Sequence, residues 1–416
     1  MGGLPASAQY PQIPNSINPR WYGFNLLEYF STDRDWMKYF PYKNDGQFPE
    51  DDFKWIRDWG FNWVRLPMDY RFWTDPNDLL KINDKNVEPI DRAIKLGQKY
   101  QVHVNISLHR APGECILDVM DEKITGIHVT KERTSVYKDQ ATQDAFVHQW
   151  SYFAKRYKGI SSDQLSFNLV NEPLGLESAH LGLDGTAHPK ADDYVRVVRA
   201  SIAAIRAEDP NRVIVTDGYN VGRDPIPELY DTKIVQSCHD YFPVQLTHYH
   251  NEWARPYGDN IPLPTWPLKD ASGAVIVNKQ TLVDQFAPWT ELAKQKIPLH
   301  FGEMGCYKYT PPEVVYAWFN DSLDVLNDLR AGWALWNFRG PLDPGYRPGR
   351  DRLSEMAWPS AGREAATPAA KQDAFLIPIH NSIEFGGSGE GVCTAILRVA
   401  RAASPRSVRP RVCPHV

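Results

Sequence analysis

In this chain of 416 residues, the sequence feature that restricts the fold more than any other is a regular alternation of strand-like and helix-like segments. Alternating elements favour parallel strands, because each helix carries the chain back across the sheet. The eight predicted strands are Trp21–Leu26, Trp63–Pro67, His103–Leu108, Leu165–Asn171, Val213–Asp217, Ile234–His239, Leu299–Glu303 and Trp333–Asn337. The predicted helices are Pro49–Trp59, Val87–Tyr100, Gln143–Tyr157, Tyr194–Ala207, Val283–Lys296 and Pro312–Arg330, with a shorter one at Pro225–Tyr230. Eight such units predict an α/β fold, the (β/α)8 TIM barrel.

A doubly wound open sheet is the alternative, but no Gly-rich phosphate loop follows any predicted strand. One long insertion follows the sixth strand, at about residues 243–279, and contains His248, His250, Trp253 and Trp266. Its several prolines predict an irregular loop. In a barrel this loop would lie on the face where the strands end, and it would shape a cleft there.

Two of the predicted strands end on a glutamate. Glu172 ends the apolar run from Leu165, and Glu303 ends the run from Ile297. An ionised side chain resists leaving water, so a position at the rim of the barrel with a chemical task is favoured for both residues. Two facing carboxylates are the groups that glycoside hydrolysis requires.

Other polar and aromatic residues also lie at predicted strand ends: Arg65, His109, Asn171, His239, Tyr241 and Trp336. Each has a structural alternative when taken alone. Arg65 could be an ion-pair partner, His109 and His239 could be core histidines with satisfied hydrogen bonds, and Trp336 could be core. Taken together they favour a shared site, because the carboxyl ends of all strands of a barrel converge on one face.

Composition is typical of a globular protein, with 42% hydrophobic and 23% charged residues. The net charge of -5 argues against a nucleic-acid-binding surface. No apolar run approaches the length of a membrane span, and no signal peptide is recognisable at the N-terminus. This leaves a cytoplasmic protein or an exported one whose signal has been removed. Five widely spaced cysteines suggest neither a disulfide framework nor a zinc site, and sequence does not define the oligomeric state.

The chain resembles glycoside hydrolase family 5 of clan A, the cellulase family, over about residues 17 to 341. The matching segments are Asn171-Glu172-Pro173, Gly302-Glu303, Ser107-Leu108-His109 with Pro112-Gly113, and His239-Asp240-Tyr241, together with Arg65 and Trp336. Asn-Glu-Pro alone is moderately specific, whereas the ordered set is strongly specific. The resemblance implies a (β/α)8 barrel and an enzyme that acts on a polysaccharide.

The resemblance also implies residue roles. Glu172 would be the acid/base and Glu303 the nucleophile of a retaining mechanism, in which two carboxyl groups lie about 5–5.5 Å apart. Arg65 and Tyr241 would hydrogen-bond Glu303, and Asn171 would hold the 2-hydroxyl of the substrate. The supporting residues that would line the cleft are His109, His239 and Trp336, with Trp336 as a stacking floor. Trp73, Trp253 and Trp266 are further candidates for outer sugar sites. No metal or other cofactor is required.

The segments Gly23–Glu28 and His109–Gly113 are most similar to those of bacterial endoglucanases, which favours β-1,4-glucan as substrate. A β-mannanase or β-1,3-glucanase of the same family is the alternative. A non-catalytic sugar-binding barrel is a third possibility, and loss of a catalytic glutamate would indicate one.

The sequence changes character after Pro341. The expected closing helix is missing, and an Arg- and Pro-rich end takes its place. Read one nucleotide later, the codons of residues 356–359 force a Trp, one free position and a Gly, as relatives have there. We therefore expect a catalytic domain over residues 1–341, followed by a tail over residues 342–416 that is out of frame or vector-derived. An ordinary variable C-terminus is the alternative.

Overall fold

The computed structural model describes residues 20–33, 46–119, 122–126, 128–173, 191–251 and 262–338. The predicted domain boundary at residue 341 and the predicted tail lie outside these ranges. Among the helices within them, none is both long enough and apolar enough to cross a membrane. The described residues contain every strand that the sequence predicts for the barrel.

Eight parallel strands close into a barrel within the described part of the chain. They are β1 (Tyr22–Asn25), β2 (Trp63–Asp69), β3 (His103–Ala111), β4 (Leu165–Asn168), β5 (Val213–Asp217), β6 (Val235–Asp240), β7 (Leu299–Met304) and β8 (Gly332–Leu335). Each strand pairs with the next, and β8 closes on β1 with Tyr22 opposite Trp333. The predicted (β/α)8 TIM barrel is confirmed.

Helices connect the strands outside the barrel. The longer ones are α1 (Glu50–Asp58), α2 (Glu88–Tyr100), α3 (Gln140–Arg156), α4 (Ala191–Glu208), α5 (Lys279–Gln285), α6 (Ala287–Lys294) and α7 (Pro312–Asp328). Single helical turns lie at Glu122–Thr125, Tyr219–Gly222 and Val244–Thr247, and 3-10 turns lie at Tyr70–Phe72, Asp84–Val87, Ile116–Val119 and Pro227–Thr232. The single helix predicted at Val283–Lys296 is two helices, because Pro288 favours a new helix start.

Helix α2 shows how the sequence builds one unit of the barrel. Its buried face includes Ile90 and Ile94, which point inward one turn apart. Gly97 lies where the helix meets β3, and a Cβ there would be 2.5 Å from a methyl group of Val104. The helix ends at Gln101, whose backbone is left-handed with φ 55°. This close packing holds β3 in place.

Short antiparallel strands extend the barrel at its loops. Thr74–Asp75 pairs with Asp78–Ile82, and Glu114–Cys115 pairs with the end of β3. In the insertion predicted to be irregular, Leu268–Lys269 pairs with Val275–Val277. The predicted irregular loop is wrong at this hairpin, because the turn at residues 270–273 allows two short strands to pair despite the nearby prolines. There Asp270 accepts the N–H of Ser272, and Gly273 supplies φ 87°.

Candidate active site

The carboxyl ends of the strands bring together the residues that the sequence singled out. The set comprises Arg65 in β2, His109 in β3, Asn171 and Glu172 after β4, His239 in β6, Tyr241 just beyond it, Glu303 in β7 and Trp336 after β8. Hydrogen bonds connect Arg65 to Asn171 and Glu303, Tyr241 to Glu303, and His239 to Glu172. A ring contact joins His109 to Trp336.

Glu303 is a buried carboxylate whose side chain is only 4% exposed. Arg65 Nη1 donates to its Oε1 at 2.5 Å, and the Tyr241 hydroxyl donates to its Oε2 at 2.9 Å. Burial raises the pKa of the Glu303 carboxyl, whereas the cations His239 and Arg65 oppose that rise. The two donors orient the carboxylate and stabilise its ionised form.

Glu172 lies in a sharp turn after β4, which ends at Asn168, earlier than the predicted Asn171. Its backbone adopts φ 44°, a left-handed conformation that is uncommon for a residue other than glycine. The side chain is 15% exposed, and its Oε1 lies 2.8 Å from Nδ1 of His239. Within the described part of the chain, Glu172 Oε2 has no hydrogen-bond partner, so this oxygen is available to a ligand.

Asp217, the last residue of β5, belongs to the site, and the sequence interpretation missed it. Its carboxylate is fully buried. Oδ2 accepts the backbone N–H of Glu172 at 3.0 Å and lies 3.2 Å from His239 Nε2, while Oδ1 accepts from Asn168 Nδ2 at 3.0 Å. Asp217 could have been found by the pattern that identified Glu303, because it too is an acidic residue at the end of an apolar strand.

His239 lies between three carboxylates. Burial alone would lower its pKa, but Glu303, Asp217 and the hydrogen bond to Glu172 raise the pKa of His239 to about 10. Asp217 shows the complementary effect. Burial would raise the pKa of its carboxyl group, but the neighbouring His239 and Arg65 hold that pKa below its ordinary value. The carboxylates therefore favour the charged form of the imidazole, whose Nδ1 lies 2.8 Å from Glu172 Oε1 and whose Nε2 lies 3.2 Å from Asp217 Oδ2.

Arg65 crosses the barrel interior and is 1% exposed. Nε donates to Asn168 Oδ1 at 2.8 Å, Nη2 to Asn171 Oδ1 at 2.8 Å, and Nη1 to Asn25 Oδ1 at 3.1 Å as well as to Glu303. Asn25 in turn donates to the backbone oxygens of Gly302 and Leu335 in β7 and β8. Asn25 and Asn168 were also missed from the sequence. Together these amides fix the guanidinium in the orientation that Glu303 uses.

His109 and Trp336 form an aromatic wall with Phe30. The ring of Phe30 meets His109 edge-on at 4.5 Å and Trp336 at 5.4 Å between centroids. Burial and the neighbouring Arg65 hold the pKa of His109 well below its ordinary value, so the ring is neutral. This wall is only slightly exposed, since Trp336 has 8% of its surface accessible.

The prediction of an outer sugar site at Trp73 is wrong, and the structure offers no support for one at Trp266. Trp73 is 1% exposed, and its indole donates to Gln149 in the core. Trp266 is half-buried and donates to Asp321 of α7 at 2.8 Å, so its polar edge is engaged on the outside of the barrel. Trp253 lies outside the described residues.

A metal ion has one conceivable position among the described residues, where single atoms of Glu172, His239 and Glu303 lie within 4.8 Å of one another. A cation there would meet the charged imidazole and the guanidinium of Arg65, which already contacts Glu303. The positive charge of the two side chains disfavours a third cation at this point.

Paired carboxylates on one face of a (β/α)8 barrel, one of them held by a buried arginine and a tyrosine, are the groups that a glycoside hydrolase requires. The sequence profile of the cellulase family, glycosyl hydrolase family 5, matches residues 21–340, and the chain belongs to that family. The expected family and enzyme class are confirmed.

Relatives with known names agree with this assignment. Endoglucanase C of Acetivibrio thermocellus is 23% identical over 312 residues, which cover 70% of this chain and 83% of the relative. Cellodextrinase A of Ruminococcus flavefaciens is 26% identical over 292 residues, which cover 68% and 77%.

Solved structures share the fold. One described as a glycoside hydrolase superposes with a TM-score of 0.65 at 34% identity, covering 79% of this chain and 92% of that chain. Endoglucanase Cel5A from the hyperthermophilic Thermotoga maritima superposes with a TM-score of 0.54 at 19% identity, covering 76% and 89%.

Proposed function

We propose that this glycoside hydrolase cleaves β-1,4-glucosidic bonds within cellulose or a related β-glucan, and that it retains the anomeric configuration. The spacing of the two glutamates carries the proposal. One carboxylate oxygen of Glu172 and one of Glu303 lie within 4.8 Å of each other, a distance between single atoms rather than between carboxyl centres. Inverting enzymes need room for a water molecule and separate the carboxyl groups by about 6.5–9.5 Å, whereas retaining enzymes hold them at about 5–5.5 Å.

The charges of the site support the proposal that Glu172 is the acid. Arg65 and the His239 imidazolium contribute two positive charges, and Glu172, Glu303 and Asp217 contribute three negative charges when all are ionised. One proton on a carboxylate makes this buried cluster neutral. Glu172 is the carboxylate best suited to carry it, because Oε2 has no partner among the described residues and its side chain is the most exposed of the three.

In the first step, Glu303 attacks the anomeric carbon and Glu172 Oε2 gives its proton to the departing glycosidic oxygen. In the second step, Glu172 takes a proton from water, which attacks the glycosyl-enzyme and releases the sugar. Arg65 and Tyr241 hold Glu303 in line for attack. Asn171 Nδ2 is buried without a hydrogen-bond partner among the described residues, and it is available to the substrate 2-hydroxyl.

The choice of β-1,4-glucan draws on those relatives that are named endoglucanase or cellodextrinase, although one further relative is named a beta-xylosidase. Another relative is a glucan 1,3-beta-glucosidase of Saccharomyces cerevisiae, matched over only 24% of its length. Both glutamates are present, which argues against a barrel that only binds sugar.

The test compares the native enzyme with Glu303→Gln on carboxymethylcellulose, mannan, xyloglucan and β-1,3-glucan. We expect release of reducing sugar to be greatest on the β-1,4-glucan and to be lost in Glu303→Gln, while binding of cello-oligosaccharides persists. Glu291→Gln is the matched control, because Glu291 lies on the surface with 65% of its side chain exposed.

Proton NMR of the first product formed should show the β-anomer. Formation of the α-anomer would contradict retention, and hydrolysis that survives in Glu303→Gln would contradict the assigned nucleophile. A clear preference for mannan or β-1,3-glucan would leave the mechanism intact and overturn the substrate.

A further inference from the structure

One carboxylate oxygen of Asp217 contacts both the backbone and the side-chain partner of Glu172. Oδ2 accepts the Glu172 N–H at 3.0 Å and lies 3.2 Å from His239 Nε2. The Nδ1 atom of the same imidazole lies 2.8 Å from Glu172 Oε1. A short ring of contacts therefore runs from the main chain of Glu172 through Asp217 and His239 back to the carboxyl group of Glu172.

The contacts in this ring restrict the backbone conformation of Glu172 and the rotation of its side chain. The hydrogen bond to its N–H stabilises a backbone with φ 44°, a conformation that an L-residue adopts only when its surroundings impose it. The carboxylate oxygen 3.2 Å from Nε2 is an ion-pair partner without hydrogen-bond geometry, and its charge favours this placement of the imidazole. With Oε1 beside Nδ1, rotation of the carboxyl group is restricted, and Oε2 has no hydrogen-bond partner among the described residues.

Asp217 is itself rigidly placed. It is fully buried at the end of β5, Asn168 Nδ2 donates to its Oδ1, and Arg65 Nη2 lies 3.7 Å from its Oδ2. The Tyr194 hydroxyl of α4 donates to its backbone oxygen at 2.8 Å. Among the described residues, the charged and titratable groups near this carboxylate include Arg65, His109, Glu172, Tyr194, Cys238, His239 and Glu303.

We propose that Asp217 is a positioning residue of the hydrolytic reaction, which holds Glu172 and keeps His239 a doubly protonated donor so that Glu172 Oε2 faces the departing oxygen. The proposal rests on the function proposed above for Glu172. Asp217 touches no reacting atom, and its effect passes entirely through the Glu172 backbone and the His239 ring.

Two substrates that differ in their leaving group test this role with Asp217→Asn. A cello-oligosaccharide needs a proton on its leaving oxygen, whereas 2,4-dinitrophenyl β-cellobioside releases a phenolate that needs none. We expect kcat/KM to fall about a hundredfold on cellotetraose, within the contribution of about 10²–10⁴-fold that a general acid makes, and by a few-fold on the dinitrophenyl substrate. Asp231→Asn is the matched control, since Asp231 pairs with Arg199 in an exposed ion pair.

Nitrogen-15 NMR of His239, assigned by its loss in His239→Gln, provides a second readout that does not depend on activity. The native protein should show both ring nitrogens protonated at pH 7, and Asp217→Asn should lower the midpoint of this titration. A neutral His239 in the native protein at pH 7 overturns the proposal even if Asp217→Asn fails to fold.

Equal losses of kcat/KM on both substrates with an unchanged His239 titration would also overturn it, because they describe a purely structural residue. A native protein that hydrolyses neither substrate refutes the proposed function instead, and the titration still reports whether Asp217 controls His239.

Discussion

The ionisable residues at the carboxyl ends of the strands determine one another's charge. Arg65 is the fixed member, because a guanidinium keeps its proton and its donors are engaged by Asn25, Asn168, Asn171 and Glu303. Removing one partner of such a buried pair leaves an uncompensated charge, which costs about 3–5 kcal/mol. The arginine is therefore needed for the stability of the barrel as well as for the orientation of Glu303.

Tyr241→Phe tests the hydrogen bond to the candidate nucleophile. The change removes the donor to Glu303 Oε2 and keeps the ring packed against His248. A hydrogen bond to a charged group is worth about 1.5–3 kcal/mol, so kcat/KM should fall roughly 10- to 150-fold. Loss of the donor also raises the pKa of Glu303, which must be ionised to attack, so the acidic limb of the pH profile should move to higher pH.

Tyr309→Phe is the control for this change, because Tyr309 is 44% exposed. Tyr309→Phe should keep the native activity and the native pH profile. A pH profile that stays in place in Tyr241→Phe would show that the tyrosine does not stabilise the ionised carboxylate.

For single residues, a charged residue at the end of an apolar run is the signal behind the predicted roles of Glu172 and Glu303, which stay predictions. The same signal was overlooked at Asp217. Glu172 and Glu303 stand out because ionised groups are costly in such places. Asn25 and Asn168 do not stand out, since an amide inside a short strand carries no charge and its partners come from strands far away in sequence. Only barrel closure shows that Asn25 reaches the backbone of Gly302 and Leu335.

At the scale of elements, β1 is the short strand that closes the barrel between β2 and β8. Gly23 at its centre lies so near β2 that an added Cβ would be 1.7 Å from the carbonyl oxygen of Trp63. We predict that Gly23→Ala destabilises the fold by at least about 4 kcal/mol, since backbone atoms must move apart. Chemical denaturation followed by tryptophan fluorescence measures the loss.

Gly60→Ala is the comparison for that measurement. Gly60 has φ 87° and no atom within 4 Å of the added methyl group, so only the backbone conformation is penalised, by about 1–2 kcal/mol. Equal losses in the two variants would show that close strand packing at β1 is not what requires glycine.

The positions of strands and long helices followed from the sequence, because their apolar periodicity extends over many residues. The short hairpin at Leu268–Lys269 and Val275–Val277 did not, since strands of two or three residues are too short to show a period. Only its turn residues indicate a hairpin, whereas the many nearby prolines indicate an irregular loop. The division of one predicted helix into α5 and α6 likewise depends on a single residue, Pro288.

At the scale of the whole molecule, the family match ends at residue 340, close to the predicted change at Pro341. An end at this point fits both a chain that is read out of frame beyond it, which we propose, and an ordinary variable C-terminus. Sequencing the gene from an independent source should show a one-base difference near the codons for Pro341 and Leu342. Restoring the other frame should raise the unfolding temperature, because a (β/α)8 barrel needs a helix after its eighth strand. An intact frame in the source gene would refute the proposal.

Two buried histidines at the opposite end of the barrel from the site make the fold more sensitive to acid. His103 and His300 are buried there beside Trp21, and burial lowers the pKa of each to about 3. The unfolded chain binds a proton on these residues near pH 6.5, so between pH 6.5 and about 3 it holds more protons than the folded protein. Each histidine therefore lowers the free energy of unfolding as the pH falls, by up to about 1.4 kcal/mol per pH unit.

His300→Phe isolates one of these contributions. The phenyl ring can keep the contact with Trp63, whose ring centroid lies 4.5 Å away, and it removes Nε2, which is buried without a hydrogen-bond partner among the described residues. Asp240 and Glu114 act in the opposite direction over part of this range, because burial raises their pKa values to about 7 and about 8. The measured quantity is therefore the difference between variant and native protein in urea denaturation at successive pH values.

That difference should grow in favour of His300→Phe by about 1.4 kcal/mol per pH unit below pH 6.5. His128→Gln, at a side chain that is 60% exposed, should follow the native protein. A constant difference between pH 4 and pH 7 would mean that His300 takes up its proton without unfolding, and that the base of the barrel admits charge more readily than its burial implies.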